Sequence, residues 1–304
     1  MLASLLTTFL WAASAAFATR SSRLIGGTEA NFWRLSFGLL PLALYAHYWG
    51  QGLGGASFPL FFASGIVGLG GDVFLFQSLP RLGARLSMVL VLCGAAVWGA
   101  VIEWLWLGTT LTVPQMSACA TILFGIILAL APGGHLKITQ RELGWGIFFG
   151  TLAGLGNAGG AVLSRKANAI AVLSHQNIDA PTAAYQRVVG GLLVAGVCLL
   201  AVKRRHIVGQ FTESDPPRLP EREKWRRVWP WIAGNSLCGQ VLGITCYQWA
   251  LKTTPTAIVL AIIAATPIVV MPLSYILEGE RPGPRSVLGG TIAVGGVVAL
   301  VLMK

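Results

Sequence analysis

The stretch Gly68-Leu-Gly-Gly-Asp-Val-Phe-Leu-Phe-Gln77 has a partial copy 171 positions later, Gly239-Gln-Val-Leu-Gly-Ile-Thr-Cys-Tyr-Gln248. The copy places Gly68 on Gly239 and Gln77 on Gln248 without a gap. The same offset gives three further matches within residues 68–130: Arg81 on Lys252, Gly108 on Gly279 and Gly125 on Gly296. Each match is weak alone in an apolar sequence, but their common order and offset indicate that the chain consists of two homologous halves.

The composition indicates an integral membrane protein rather than a soluble domain. Of the 304 residues, 55% are hydrophobic and only 11% are charged, and the mean hydropathy is +0.70. Soluble domains usually carry about 25% charged residues. The charges cluster between long apolar runs, so the net charge of +11 indicates contact with lipid headgroups rather than with nucleic acid.

Apolar runs of about 20 residues predict transmembrane helices, because that length spans the hydrocarbon core. The sequence predicts ten helices, near residues 2–19, 30–49, 58–79, 84–107, 114–131, 144–163, 182–202, 229–250, 256–277 and 286–303. We divide them into a first repeat at 1–131, a connector at 132–143 and a second repeat at 144–304, which contains a solvated loop at 203–228. Because five helices per repeat is an odd number, the second repeat must enter the membrane from the opposite side. The predicted fold is an all-α integral membrane protein with ten transmembrane helices as two inverted five-helix repeats.

Three motifs carry a resemblance to a known family. Leu277-Glu-Gly-Glu-Arg281 is followed by the glycine-rich run Gly289-Gly-Thr-Ile-Ala-Val-Gly-Gly296, and Phe32-Trp-Arg34 lies early in the second predicted helix. With these motifs the chain resembles the EamA-type branch of the drug/metabolite transporter superfamily over nearly its whole length. The resemblance implies a multi-pass protein of the cell (inner/plasma) membrane. It also implies ATP-independent transport of small metabolites such as amino acids. Export is the predicted direction.

The first half departs from the family's pattern at two positions. Thr109 stands where Glu280 supplies the acidic residue in the second half, and Ala96 stands where Pro267 interrupts a helix. These differences argue against a mechanism in which both halves flex in the same way.

Four charged side chains inside apolar runs are candidates for substrate binding or ion coupling: Asp72, Glu103, Arg34 and Arg187. A carboxylate in mid-membrane costs at least ~2.5 kcal/mol on insertion scales, so Asp72 should be paired, protonated or facing water. It is a candidate for proton coupling or for binding a substrate ammonium, and the alternative is a structural hydrogen bond. Arg34 and Arg187 occupy equivalent places and either bind a substrate carboxylate or phosphate or fix helix depth at the headgroups. Glu103 lies about one turn from its helix end, where it either joins the site or reaches the headgroups.

Uncharged polar and aromatic residues complete the predicted site: Gln77, Gln248, Asn157, Tyr247 and Trp11. The amides of Gln77 and Gln248 recur in both halves and either line a passage or bond one helix to another. Tyr247 and Trp11 either contact an apolar or aromatic solute or anchor the chain at the membrane surface. We expect the site near the bilayer midplane, between predicted helices 1, 3, 4, 6, 8 and 9.

No motif predicts catalysis or a bound cofactor. The sequence lacks a Gly-Lys dipeptide for a Walker-type loop, and its four histidines and five cysteines have no metal-ligand spacing. We therefore expect no enzyme activity, no cofactor and no metal. The expected partners are a small-molecule solute, membrane lipid and a proton or solute gradient, without nucleic acid. The alternative is a non-transporting membrane scaffold or a subunit of a lipid-modifying complex.

Two arguments about orientation disagree. Lys and Arg concentrate in the loops after predicted helices 1, 3, 5, 7 and 9, which places both termini outside by the positive-inside rule. The family resemblance implies that both termini are cytoplasmic.

Overall fold

The computed structural model is all-helical in the part of the chain that it describes, with no strand there. It describes residues 2–107, 112–130, 139–209, 221–253, 259, 262–278 and 283–302. In chain order the helices are α1 (Leu2–Ile25), α2 (Gly27–Tyr48), α3 (Phe58–Ser64), α4 (Gly70–Met88), α5 (Gly94–Leu107), α6 (Val113–Leu130), α7 (Gln140–Leu173), α8 (Ala180–Gly209), α9 (Glu221–Asn235), α10 (Ile244–Thr253), α11 (Thr266–Glu278) and α12 (Pro284–Leu302). Three π-helical turns link neighbouring helices: Gly65–Leu69 joins α3 to α4, Val89–Cys93 joins α4 to α5, and Ser236–Gly243 joins α9 to α10.

A backbone break divides α4 near its end. Gly83 has φ 77° and ψ 169°, a conformation that glycine adopts far more readily than other residues. Pro80 lies three residues earlier and lacks the N–H group that a continuous helix requires. The break falls where the sequence predicts the boundary between helices 58–79 and 84–107.

Several helices extend further than the sequence predicted. α1 ends at Ile25 rather than near residue 19, and α7 ends at Leu173 rather than near residue 163. Arg and Lys are good helix formers, so charged residues mark the edge of the apolar run without ending the helix.

The predicted bounds of the solvated loop, 203–228, were wrong at both ends. α8 continues to Gly209 and α9 begins at Glu221, while residues 210–220 lie outside the described part of the chain. Ion pairs support the start of α9: Arg227 Nη2 to Glu223 Oε1 at 2.6 Å and Lys224 Nζ to Glu29 Oε2 at 3.5 Å. The clustered charges therefore belong to the first turns of α9, where the Glu223–Arg227 pair, four residues apart, stabilises the helix.

The connector predicted at 132–143 also overlaps a helix. α7 begins at Gln140, and the Thr139 side chain accepts a hydrogen bond from the Glu142 N–H at 3.3 Å. A threonine followed three residues later by a glutamate is the pattern of a capping box, which marks a helix start. Residues 131–138 lie outside the described part of the chain.

Four described helical stretches are long and apolar enough to cross a membrane: Leu2–Ile25, Phe58–Gly99, Gln140–Leu173 and Ala180–Lys203. Phe58–Gly99 contains the break at Gly83. Two shorter apolar helices, Met116–Ala129 and Pro284–Ala299, accompany them. The count of ten spans stays a prediction.

Helices from the two halves of the chain pack against each other. α2 packs along α8, α6 along α12, and α4 and α5 along α7, while α1 contacts α9, α10 and α11. Glycine permits the closest of these contacts. A Cβ on Gly125 or Gly289 would overlap the backbone of Ala293 or Ala129 on the facing helix.

Candidate functional site

An internal cavity lies where α1, α2, α4, α7, α8 and α10 meet. The centre of a water molecule can occupy about 70 Å³ of this cavity. The cavity therefore has room for several waters. Each π-helical turn supplies part of the wall: Gly68 and Leu69, Val91 and Leu92, and Gly239 and Gln240. Such turns often occur at functional sites.

The buried Arg34 and the half-buried Asp72 form an ion pair in the cavity wall. Arg34 Nη2 donates to Asp72 Oδ2 at 2.6 Å, and the two side chains are 5% and 15% exposed. Arg34 also donates from Nε and Nη2 to Asn31 Oδ1 at 3.1 and 2.8 Å, and its Cζ lies 4.6 Å from the centre of the Phe76 ring. The pairing explains how a carboxylate is tolerated inside an apolar bundle.

Arg187 occupies a different environment from Arg34. Its Nη1 donates to Ser164 Oγ at 2.9 Å, and its Cζ lies 6.0 Å from the centre of the Tyr247 ring. Ser164 Oγ also bonds Ser64 Oγ at 2.7 Å and lies 3.5 Å from Gln248 Nε2. Arg187 Nε is buried without a hydrogen-bond partner. Among the described residues, the Ser164 hydroxyl and the Tyr247 ring therefore contact this guanidinium.

Aromatic and amide groups complete the cavity wall. The rings of Trp11 and Tyr247 are tilted by 46° with their centres 5.1 Å apart. Ser14 Oγ donates to Asn235 Oδ1 at 2.6 Å, and Gln240 Oε1 is buried without a partner. The cavity thus presents apolar rings beside charged and amide groups, as small-molecule sites commonly do.

The cavity brings together six residues that the sequence singled out: Trp11, Arg34, Asp72, Asn157, Arg187 and Tyr247. Gln248 is buried beside the cavity, near Ser164. Gln77 lies away from the cavity, where its Nε2 donates to Thr28 Oγ1 at 3.0 Å and its Oε1 accepts from Arg81 Nη1 at 3.3 Å. The side chain of Glu103 lies outside the described part of the chain.

Sequence reasoning missed Ser14, Asn31 and Ser164. Asn31 had a usable signal, because it precedes Arg34 by three residues and so lies on the same helix face. Serine is common in membrane helices, where its hydroxyl often bonds another helix without any role in transport. Ser14 and Ser164 therefore had no distinguishing signal of their own.

Comparison with known families decides the class of the protein. A sequence profile of the EamA-like transporter family matches residues 1–131 and again residues 144–302. The chain belongs to the EamA-like transporter family. This family lies within the drug/metabolite transporter superfamily, so the resemblance seen in the sequence is confirmed. An EamA-like chain is a multi-pass membrane protein of a transporter class, with a small solute and membrane lipid as its partners.

Solved structures share the fold of this EamA-like protein. Of the solved chains, 26 match it, and one crystal structure has a TM-score of 0.62 at 14% sequence identity. That match covers 99% of this chain and 96% of the other. At this identity the likeness shows the fold alone. None of the curated proteins compared matches the chain.

Proposed function

We propose that this chain is a secondary transporter that moves a small metabolite, such as an amino acid or a related solute, across the cell membrane. The observation that carries the proposal is the central cavity, in which Arg34 and Arg187 are buried and Asp72 is half-buried inside an apolar bundle. Charged groups inside membrane segments are costly and usually mark a substrate or ion pathway. Without an ATP site, a proton or solute gradient drives the transport, and net flux is outward.

Transport proceeds by alternating access between two inverted five-helix repeats, 1–131 and 144–304, joined by the connector at 132–143. Two separate matches to one family support this division. The π-helical turns Gly65–Leu69 and Ser236–Gly243 begin 171 residues apart, which is the offset of the sequence repeat. Repeats of this kind place the substrate between the halves, near the bilayer midplane.

Helix packing gives further support for the repeat. The 171-residue offset relates α6 to α12, and the match of Phe32-Trp-Arg34 with Tyr185-Gln-Arg187, 153 positions later, relates α2 to α8. Each of these helices packs along its own counterpart. α4 and α5 pack along α7, just as their counterparts α10 and α11 pack along α1. A twofold axis in the membrane plane accounts for these exchanged contacts.

The cavity argues against a non-transporting scaffold or a subunit of a lipid-modifying complex. Two arginines, one aspartate and two amide side chains line it. Charged groups inside a membrane bundle usually mark a substrate or ion pathway, which favours a transporter.

The test is counterflow into proteoliposomes that contain the purified full-length chain and a panel of amino acids, nucleosides and sugars. We expect saturable exchange of at least one solute class, and a pH-dependent component that Asp72→Asn abolishes. Gln77→Glu is the matched control, because Gln77 lies away from the cavity and the substitution barely changes its shape. Absence of exchange for every solute would favour the scaffold. Unchanged pH dependence in Asp72→Asn would remove Asp72 from proton coupling.

A further inference from the structure

The two halves differ in charge at equivalent positions of the cavity. Arg34 lies over the ring of Phe76, and Arg187 lies over the ring of Tyr247, which stands 171 positions after Phe76. The same offset carries Asp72 onto Gly243. The first half therefore pairs its arginine with a carboxylate, whereas the second half has no side chain at the matching place.

Among the described residues of the cavity wall, Arg187 is consequently the cation without an ion pair. It is 5% exposed, and within the described residues no carboxylate lies at ion-pair distance from it. Asp72 attracts Arg187 electrostatically, but its carboxylate already bonds Arg34 at 2.6 Å. The described lining thus has two arginines and one aspartate, a net charge of +1.

We infer that the transported solute carries an anionic oxygen group, a carboxylate or a phosphate, that binds the guanidinium of Arg187. This inference rests on the proposed function and names the substrate class of the same cavity. A guanidinium presents parallel N–H donors that match the oxygens of both anions. A buried cation inside a membrane bundle needs a compensating charge. A bound carboxylate brings the net charge of the described lining to zero, and a phosphate monoester, with a charge of about −2 at neutral pH, makes it about −1.

A second group in the cavity restricts the solute further. Gln240 lines the same cavity, and its Oε1 has no hydrogen-bond donor among the described residues. A hydroxyl or ammonium group beside the anionic group of a bound solute can supply such a donor. Small hydroxy acids, amino acids and sugar phosphates carry such a group.

The test measures exchange by the full-length chain in proteoliposomes for small probes that differ in charge. L-lactate and glycerol 3-phosphate are the anionic probes, lactamide and glycerol are their neutral counterparts, and choline is the cation. Binding to the detergent-solubilised protein, measured as thermal stabilisation, is recorded for each probe in parallel. The lactate and phosphate arms show which anion the site takes.

We expect an anionic probe to be bound and exchanged at least tenfold better than its neutral counterpart. Arg187→Gln should remove this preference, and Arg187→Lys should keep part of it. Gln240→Glu adds a carboxylate of nearly unchanged shape to the cavity and should weaken anion binding at least tenfold. Gln77→Glu adds the same charge away from the cavity and should leave the preference intact.

The outcomes separate this inference from the proposed function. Two results would overturn the inference and leave transport standing. The first is exchange of neutral or cationic solutes without any preference for the anions. The second is an anion preference that survives both Arg187→Gln and Gln240→Glu. Absence of exchange for every solute in both panels overturns transport. In that case anion binding to the detergent-solubilised protein still decides whether the cavity is an anion site. Absence of such binding would reject the anion site.

Discussion

Arg34 and Asp72 join two helices through a partly buried contact of 2.6 Å between Nη2 and Oδ2. The contact ties α2 to the first turn of α4, directly after the π-helical turn Gly65–Leu69. Ser236 Oγ donates to the carbonyl oxygen of Arg34 at 2.8 Å, which brings a second π-helical turn to the same residue. The pair therefore holds the cavity wall together in addition to balancing its charge.

Asp72→Asn should destabilise the protein by about 1.5–3 kcal/mol, because it removes a charge-assisted hydrogen bond between the half-buried Asp72 and the buried Arg34 and leaves the protein folded for transport assays. The double variant Arg34→Gln/Asp72→Asn should recover part of this loss, since it removes both charges. Thermal unfolding in detergent of the wild type, the two single variants and the double variant gives the coupling energy. Strictly additive losses would show that the pair does not act as a unit.

Gly160→Ala should lower stability by about 1–3 kcal/mol through overpacking. A Cβ at Gly160 on α7 would lie 2.7 Å from the Gly68 Cα, which belongs to a facing π-helical turn. Gly144→Ala, on the same helix, is the matched control because nothing lies within 4 Å of its Cβ. Thermal unfolding should show a loss only for Gly160→Ala. Equal behaviour of the two variants would mean that α7 and this turn are not in close contact.

Trp11 and Tyr247 should show a coupling of about 0.5–1.5 kcal/mol, as tilted aromatic pairs usually do. The cycle uses Trp11→Ala, Tyr247→Ala and the double variant, with unfolding free energy as the measurement. Tyr247→Phe keeps the ring and should retain most of the stability. Additivity of the alanine variants within about 0.3 kcal/mol would contradict a direct contact.

A reporter active only in the cytoplasm, fused after Lys304, should stay inactive if the positive-inside rule decides the orientation. The basic residues of the sequence place both termini outside, whereas the family resemblance implies the cytoplasm. A second reporter, active only outside the cytoplasm, serves as the control and should be active at the same position. The reverse pattern would show that charge bias does not set the orientation of this chain.

The sequence was most informative where polarity conflicts with burial. Arg34, Asp72 and Arg187 are conspicuous because charged residues are rare in apolar runs, and the structure brings all three to one cavity. The break at Gly83 was also within reach, because a glycine shortly after Pro80 marks a point where a helix can end.

Other features depend on the packing of the whole bundle. Gln77 and Gln248 share a sequence offset, yet Gln77 bonds Thr28 while Gln248 lies beside Ser164. The offset relates positions along the two repeats but does not require equivalent helices to have the same neighbours. Helix ends were misplaced for a different reason, since charged residues continue a helix beyond its apolar run.

The π-helical turns have a consequence for motion within the bundle. Such a turn holds one residue more than an α-helical turn, so a slip from one form to the other rotates the following segment by about 100°. Behind Gly65–Leu69 that rotation would carry Asp72 around the axis of α4, and behind Ser236–Gly243 it would carry Tyr247 around the axis of α10. A register change confined to one turn can thus replace the groups that face the cavity while the rest of each helix stays folded.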